Sequence, residues 1–271
     1  MKHLFRAWRS AGNFINHGPL QLFIDYDGTL APIADTPSLA LMPAPTRAAL
    51  EELSKQKDVD VCIVTGRLAS EAAQLVGIKS FNYIGNHGYE ITGPGLRQVH
   101  PGAAAASRTM DEIRGHLEGR LKKIENVVVE NKLLTLSVHY RLARPDGVKE
   151  ARKVCLEVLR PYIRRGEVVF RKGKKVWEIR PGTEWDKGSA VLWILAKSVS
   201  RSGRPVLPVY LGDDWTDEDA FKALADKGLT VKITKKPDER SAAHFYLKST
   251  DEVREFLLRL IKRRGERNGK P

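Results

Sequence analysis

Three short apolar runs, each ending abruptly in polar residues, constrain this chain more than any other feature. Leu20-Gln21-Leu22-Phe23-Ile24 stops at Asp25-Tyr26-Asp27-Gly28-Thr29. Asp60-Val61-Cys62-Ile63-Val64 stops at Thr65-Gly66-Arg67, and a helical pattern follows from Leu68 to Val76. Pro208-Val209-Tyr210-Leu211 stops at Gly212-Asp213-Asp214, with a helix from Asp217 to Leu224. Such runs suit parallel strands buried on both faces. In open parallel sheets the ligand crevice lies outside the carboxyl ends of the strands, so the three polar clusters are expected at one site.

The segment between them reads differently. A helical stretch from Ser107 to Lys123 precedes strands near Asn126–Glu130 and Leu133–Arg141. A helix from Asp146 to Ile163 precedes strands near Val168–Arg171 and Val176–Arg180. This order suits a small antiparallel sheet with helices on one face. The expectation is an α/β protein: a doubly wound parallel-sheet core, residues 19–102 and 182–253, carrying an inserted α+β lid, residues 103–181. Residues 1–18 are expected as an N-terminal extension, frayed or docked, and 254–271 as a basic helix end or tail, solvated and not a binding element.

Charge separates the same regions. The chain has 271 residues and a formal charge of +13. Residues 103–181 hold 19 Lys/Arg against 10 Asp/Glu, and residues 254–271 hold 7 against 2. A basic lid favours an anionic partner, whether a phosphorylated metabolite, a nucleic acid or a membrane surface. The sequence has no apolar run long enough to span a bilayer, and residues 1–18 lack the apolar stretch of a signal peptide. Cys62 and Cys155 sit in apolar runs as core residues, with no disulfide framework, and the cytoplasm is the expected compartment. Trp177 and Trp193 are expected in the core.

Chemistry concentrates at the strand ends. Of Asp25 and Asp27, one carboxylate can attack phosphorus while the other moves the proton of the leaving group and then of water. Gly28 allows a sharp turn, and the Thr29 hydroxyl can bind a phosphate oxygen. An acidic turn or a loose calcium loop would use the same residues. Asp213 and Asp214 add hard oxygens of the kind magnesium prefers, or they cap the following helix. Thr65 could hold a transferring phosphoryl group with nearby backbone N–H groups. Lys187 opens a helix, where the dipole disfavours a cation; a neighbouring anion would justify it, and a solvated surface lysine is the alternative.

In this order the segments resemble the four motifs of the haloacid dehalogenase superfamily of phosphatases. The resemblance extends to the trehalose-6-phosphate phosphatases within it. It is carried by Asp25 through Ile33, by Gly85-Asn86-His87-Gly88-Tyr89-Glu90, by Val138-His139-Tyr140-Arg141, by Glu178-Ile179-Arg180-Pro181, and by Gly212 through Asp219. It covers Leu20 to Lys248.

The resemblance implies Asp25 as nucleophile and Asp27 as general acid, then base. It implies Mg²⁺ held by Asp25, the Asp27 carbonyl oxygen and Asp213, with Asp214 or Asp217 in support. Thr65 and Lys187 would bind the phosphoryl group. The lid would be the family's cap, and its sugar contacts would be Glu130, Lys132, Arg141 and Glu178, joined by Arg67, Asn86 and His87. Glu130 and Lys132 also fit a solvated strand face, and Arg141 and Arg180 fit pairing within the lid. The implied substrate is trehalose 6-phosphate, supplied by a trehalose-phosphate synthase, with neither nucleic acid nor membrane as partner. The rival readings are a phosphatase of sucrose 6-phosphate, mannosyl-phosphoglycerate or a pseudosugar phosphate, and a basic nucleic-acid-binding protein with a vestigial core. Against the last, the lid lacks interleaved exposed aromatics.

Overall fold

The computed structural model describes residues 1–15 and 18–268. Residues 16–17 and 269–271, parts of the expected N-terminal extension and basic end, lie outside the described residues. The chain begins with β1 (Lys2–His3) and α1 (Trp8–Ile15), then β2 (Leu20–Asp25), α2 (Ala44–Leu53), β3 (Val59–Val64), α3 (Ala69–Val76) and β4 (Asn82–Gly85). Two short strands follow, β5 (Glu90–Gly93) and β6 (Leu96–Val99). The next stretch holds α4 (Pro101–Leu121), β7 (Val128–Asn131), β8 (Leu136–His139), α5 (Pro145–Arg164), β9 (Val168–Lys172) and β10 (Val176–Pro181). The chain ends with α6 (Lys187–Ser202), β11 (Leu207–Gly212), α7 (Asp217–Ala223), β12 (Leu229–Ile233), β13 (Phe245–Leu247) and α8 (Thr250–Asn268).

Two compact units result. One comprises residues 1–97 and 185–271, the other residues 98–184. The first contains a nine-stranded sheet in the order β1-β13-β12-β11-β2-β3-β4-β5-β6. From β1 to β4 all pairings are parallel, and β5 runs antiparallel to β4. β2 is buried at every position, which explains its continuous apolar run. Leu20, Leu22 and Ile24 join a core with α2, α3 and α8, while Phe23 joins a second core on the other face with α6 and α7. Alternate residues of one strand therefore serve opposite faces.

Both ends are held in the fold. Lys2 and His3 pair in parallel with Phe245 and Tyr246, so the N-terminal segment adds an edge strand. The basic C-terminal segment continues α8 through Asn268, and Arg264 is buried, donating to Ile15 O at 2.6 Å and Gly18 O at 2.9 Å. Carbonyl acceptors, not solvent, satisfy that cation. Trp193 is only half-buried, with the Lys197 ammonium 4.4 Å from its ring centroid.

The inserted unit has a four-stranded antiparallel sheet in the order β7-β8-β10-β9. α4 starts six residues before the expected Ser107, because Pro101 suits a first helical turn and Ala103–Ala106 favour helix. Met110, Ile113, Leu117 and Leu121 of α4 and Cys155, Leu159 and Tyr162 of α5 cover Leu136, Val138, Trp177 and Ile179 of the sheet. Glu130, Ser137, Glu178 and Arg171 are register partners across all four strands, so they form one row on the sheet's opposite face.

Candidate active site

β2, flanked by β11 and β3, lies where the sheet's strand order reverses: β3 and β4 follow on one side, β11, β12 and β13 on the other. A crevice opens at the carboxyl ends of strands at such a point. β2 ends in Asp25, β11 ends in Gly212 just before Asp213, and β3 ends just before Thr65. The three polar clusters thus share one end of adjacent strands.

Lys187, the first residue of α6, places its ammonium 2.8 Å from Asp25 Oδ1 and 2.8 Å from Asp217 Oδ1. All three side chains are buried. Tyr210 donates to Asp217 Oδ1 at 2.7 Å, and the Asp214 N–H donates to Asp217 Oδ2 at 2.9 Å. The cation at a helix start is thus accounted for by two buried anions. Asp186 caps the helix by accepting from Ser189 N–H at 2.8 Å.

Asp25, Asp213 and Asp217 offer carboxylate oxygens within 4.8 Å of one another. Three buried carboxylates face one ammonium. Burial pushes the Asp25 carboxyl well up, Lys187 opposes this, and Asp217 and Asp213 add to it. Asp217 is held below the usual carboxylate range: burial raises it, but the charge and hydrogen bond of Lys187 prevail. A cluster of hard oxygens short of positive charge has the donor set of a magnesium or calcium site, so the residues fit a divalent cation. Backbone space is shaped for this cluster. Gly28 has φ +87°, and a Cβ there would lie 2.0 Å from Asp213 Oδ2. The Thr29 hydroxyl is buried and without a hydrogen-bond partner among the described residues, a donor that a phosphate oxygen would satisfy.

Two further aspartates hold their carboxylates outside this cluster; the ligand expected of Asp27 is its carbonyl oxygen, and of Asp214 only support. The Asp27 carboxylate lies outside the acidic cluster and is gripped by Arg67, whose Nε reaches Oδ2 at 2.8 Å and whose NH2 reaches Oδ1 at 2.7 Å. The Asp214 carboxylate is also outside it, and the Asp214 backbone N–H donates to Asp217 Oδ2. Arg67, expected at the sugar, is buried and also donates to Glu71 Oε1 at 2.5 Å and Pro37 O at 2.6 Å. Burial disfavours its charge, yet the bonds and charges of Asp27 and Glu71 push its pKa up. The pair is a bidentate fork that fixes Asp27 in orientation.

Thr65 is buried, and its hydroxyl accepts from Arg67 N–H at 3.1 Å. Asn86 N–H donates to Arg67 O at 2.6 Å and His87 N–H to Thr65 O at 3.1 Å, so the loop after β4 is laced to the loop after β3. Asn86, His87 and Gly88 all have positive φ, at 51°, 58° and 112°. Glu90, not singled out as a site residue from sequence, secures both loops: its Oε1 accepts from Ala69 N–H at 2.9 Å and Asn86 Nδ2 at 3.2 Å.

The inserted unit carries a second polar cluster. Lys132 Nζ lies 3.5 Å from Glu130 Oε2 and 4.0 Å from Glu178 Oε1. Ser137 Oγ is 3.1 and 3.0 Å from the two Glu178 oxygens, and His139 Nε2 is 2.6 Å from Glu130 Oε2. Burial raises the Glu130 pKa, but the His139 hydrogen bond and Lys132 outweigh it and hold it low. Ser137 and His139 were not among the expected site residues; strand register would have found Ser137, opposite Glu178. Arg141 stands apart, donating to Lys174 O at 2.8 Å, because β8 ends at His139 before reaching it.

The trehalose-phosphatase family model matches residues 23–251. The chain belongs to that family. It is 37% identical over 242 residues to the trehalose-phosphate phosphatase of Mycobacterium marinum, covering 88% of this chain and 60% of the relative. It is 36% identical over 245 residues to a probable trehalose-phosphate phosphatase of Oryza sativa subsp. japonica, covering 89% and 65%. The chain thus spans about 60% of the length of the mycobacterial relative. The C-terminal domain of the C. albicans trehalose-6-phosphate phosphatase superposes with a TM-score of 0.79 at 24% identity, covering 96% of this chain and 98% of that one. The fold of this trehalose-phosphatase family member is of the haloacid dehalogenase type.

Proposed function

We propose that the protein hydrolyses trehalose 6-phosphate to trehalose and inorganic phosphate, through a phosphoryl group carried on Asp25. The observation that carries this reading is the buried Asp25, fixed at 2.8 Å by Lys187 beside Asp213 and Asp217. The family and the names of the relatives support the sugar.

In the reading, an Asp25 oxygen attacks phosphorus and the bond to the sugar oxygen breaks, with Asp27 supplying the proton that the leaving alkoxide needs. Water then attacks the same phosphorus, Asp27 accepts its proton, and Asp25 departs as carboxylate. Lys187 and Thr65 hold the phosphoryl oxygens. Asp25 and Asp213, with Asp217, would hold Mg²⁺, which when bound neutralises the negative charge shared by nucleophile and phosphate. The reading extends the expected set in one respect: Arg67 acts through Asp27, not on sugar. To give a proton, Asp27 has to release at least one of its bonds to that guanidinium. Glu130, Lys132 and Glu178 would take sugar hydroxyls, and the compartment would be the cytoplasm.

The test is phosphate release from a panel of sugar phosphates with magnesium present. Trehalose 6-phosphate should be turned over with the highest kcat/KM. Preference for sucrose 6-phosphate or mannosyl-phosphoglycerate would replace the substrate but keep the chemistry.

A further inference from the structure

The outer flank of the inserted unit has features that phosphate hydrolysis does not use. β9 is the last strand of its sheet and bonds to β10 on one side only among the described residues. Beside it and α5 lies an open groove of about 560 Å³, lined by Leu156 and Ile163 of α5, by residues 168–171 of β9, mostly apolar with Arg171, and by Gly166 and Gly182. Ile163 is 39% exposed, an aliphatic group set in an otherwise charged surface. Lys149, Arg152, Lys153, Arg160 and Arg164 recur at spacings of three, four and seven residues on the exposed side of α5, which places them on one helix face. Arg171 and Lys172 continue the exposed charge along β9.

Residues 149–175 contain ten Lys/Arg and three Asp/Glu. Two of those acids are already paired, Glu157 with Arg120 at 2.5 Å and Glu167 with Arg165 at 2.7 Å. The surface therefore combines an open backbone ladder, an apolar trough and an uncompensated positive rim.

We propose that this flank docks an extended acidic polypeptide segment, which adds as a fifth strand beside β9. Main-chain bonds would supply the ladder, alternate apolar side chains would enter the trough, and the intervening acids would meet the cationic rim. A second copy of this chain does not fit, because two such rims would repel. Nucleic acid would use the charge but not the apolar trough or the strand edge, so the peptide is the better match.

The test uses the full chain and a fluorescein-labelled nonapeptide of alternating glutamate and valine. Fluorescence anisotropy should show saturable binding in 50 mM salt, weakened about tenfold or more in 300 mM salt. The same peptide with two central valines replaced by proline keeps its charge but cannot form the ladder, and should bind about tenfold more weakly or worse. Residues 168–172 should gain protection from amide hydrogen exchange on peptide binding. The double variant Arg164→Glu, Lys172→Glu should lose binding about tenfold or more, yet keep the parent circular dichroism spectrum and melting curve, which shows that both units fold. Absence of saturable binding overturns the proposal. So does equal binding of the proline peptide, binding of decauridylate as tight as that of the peptide, or self-association of the chain in place of peptide capture.

Discussion

Each unit sets one lysine between two carboxylates, and the two arrangements differ in closeness. In the sheet core, Lys187 contacts Asp25 and Asp217 at 2.8 Å each, and all three are buried. In the inserted unit, Lys132 stands 3.5 and 4.0 Å from Glu130 and Glu178, and Glu130 is part-exposed. Direct, desolvated contact suits a chemical step whose charges must be in place beforehand, because nothing then has to reorganise as bonds change. Wider spacing with neutral or titratable neighbours, Ser137 and His139, suits recognition of uncharged hydroxyls. On the proposed reading one motif of charge would serve two tasks, distinguished by contact distance and burial.

The sharpest way to break this comparison is at Asp25. Asp25→Asn keeps the shape and removes the attacking charge, so turnover should fall by at least about a thousandfold while the circular dichroism spectrum persists. Substantial residual activity in the purified variant would remove Asp25 from the mechanism. Metal withdrawal comes next. Chelation should abolish phosphate release and magnesium restore it, and magnesium should also raise the melting temperature by supplying charge to Asp25, Asp213 and Asp217. A melting curve indifferent to magnesium would speak against the cluster as its site.

Glu178→Ala should lower kcat/KM for trehalose 6-phosphate by about ten- to a hundredfold, because a hydrogen bond to a charged group is worth roughly 1.5–3 kcal/mol. p-Nitrophenyl phosphate should be hardly affected, and equal losses on both substrates would withdraw the sugar assignment. Arg67→Lys separates orientation from recognition. If Arg67 fixes Asp27, kcat should fall about tenfold or more for any alkyl phosphate, small ones included, with little change in KM. A rise in KM confined to the sugar phosphate would return Arg67 to the sugar.

The smallest effect concerns pH. The Glu130 pKa is held below its ordinary value in the folded chain, so its contribution to stability is present above the ordinary glutamate range and is lost as pH falls through the lowered value. Acid should therefore depress the melting temperature of the parent slightly more than that of Glu130→Gln, and identical acid slopes would refute the assignment.

Much of the core was legible because parallel strands buried on both faces leave continuous apolar runs, and the acids at their ends interrupt those runs sharply. Asp25, Thr65 and Asp213 could be found on that ground, and Lys187 only as a cation that opens a helix. What escaped was pairing across distance. Arg67 meets Asp27 forty residues away, and nothing local distinguishes an arginine that grips a carboxylate from one that awaits a sugar. The N-terminal strand is two residues long and depends on Phe245 and Tyr246, more than 240 positions later. The helical end of the chain read as solvated because its charges were counted without the Ile15 and Gly18 carbonyls that accept from Arg264. Arg141, implied as a sugar contact by the resemblance alone, lies beyond the end of β8 at His139 and bonds to Lys174 O, which patterning does not reveal.

The left-handed turn at Asn86 and His87 has a consequence for protein engineering. Each residue with a side chain in that region costs roughly 1–2 kcal/mol that glycine would not incur. Asn86→Gly and His87→Gly would relieve that strain only against lost packing, since both side chains are buried and Asn86 Nδ2 bonds to Glu90. Both changes would strip side chains from the loop that is laced to Thr65 and Arg67. Directed evolution of this scaffold should consequently be scored on activity at every round, since a strained turn lies on a loop that frames its chemistry.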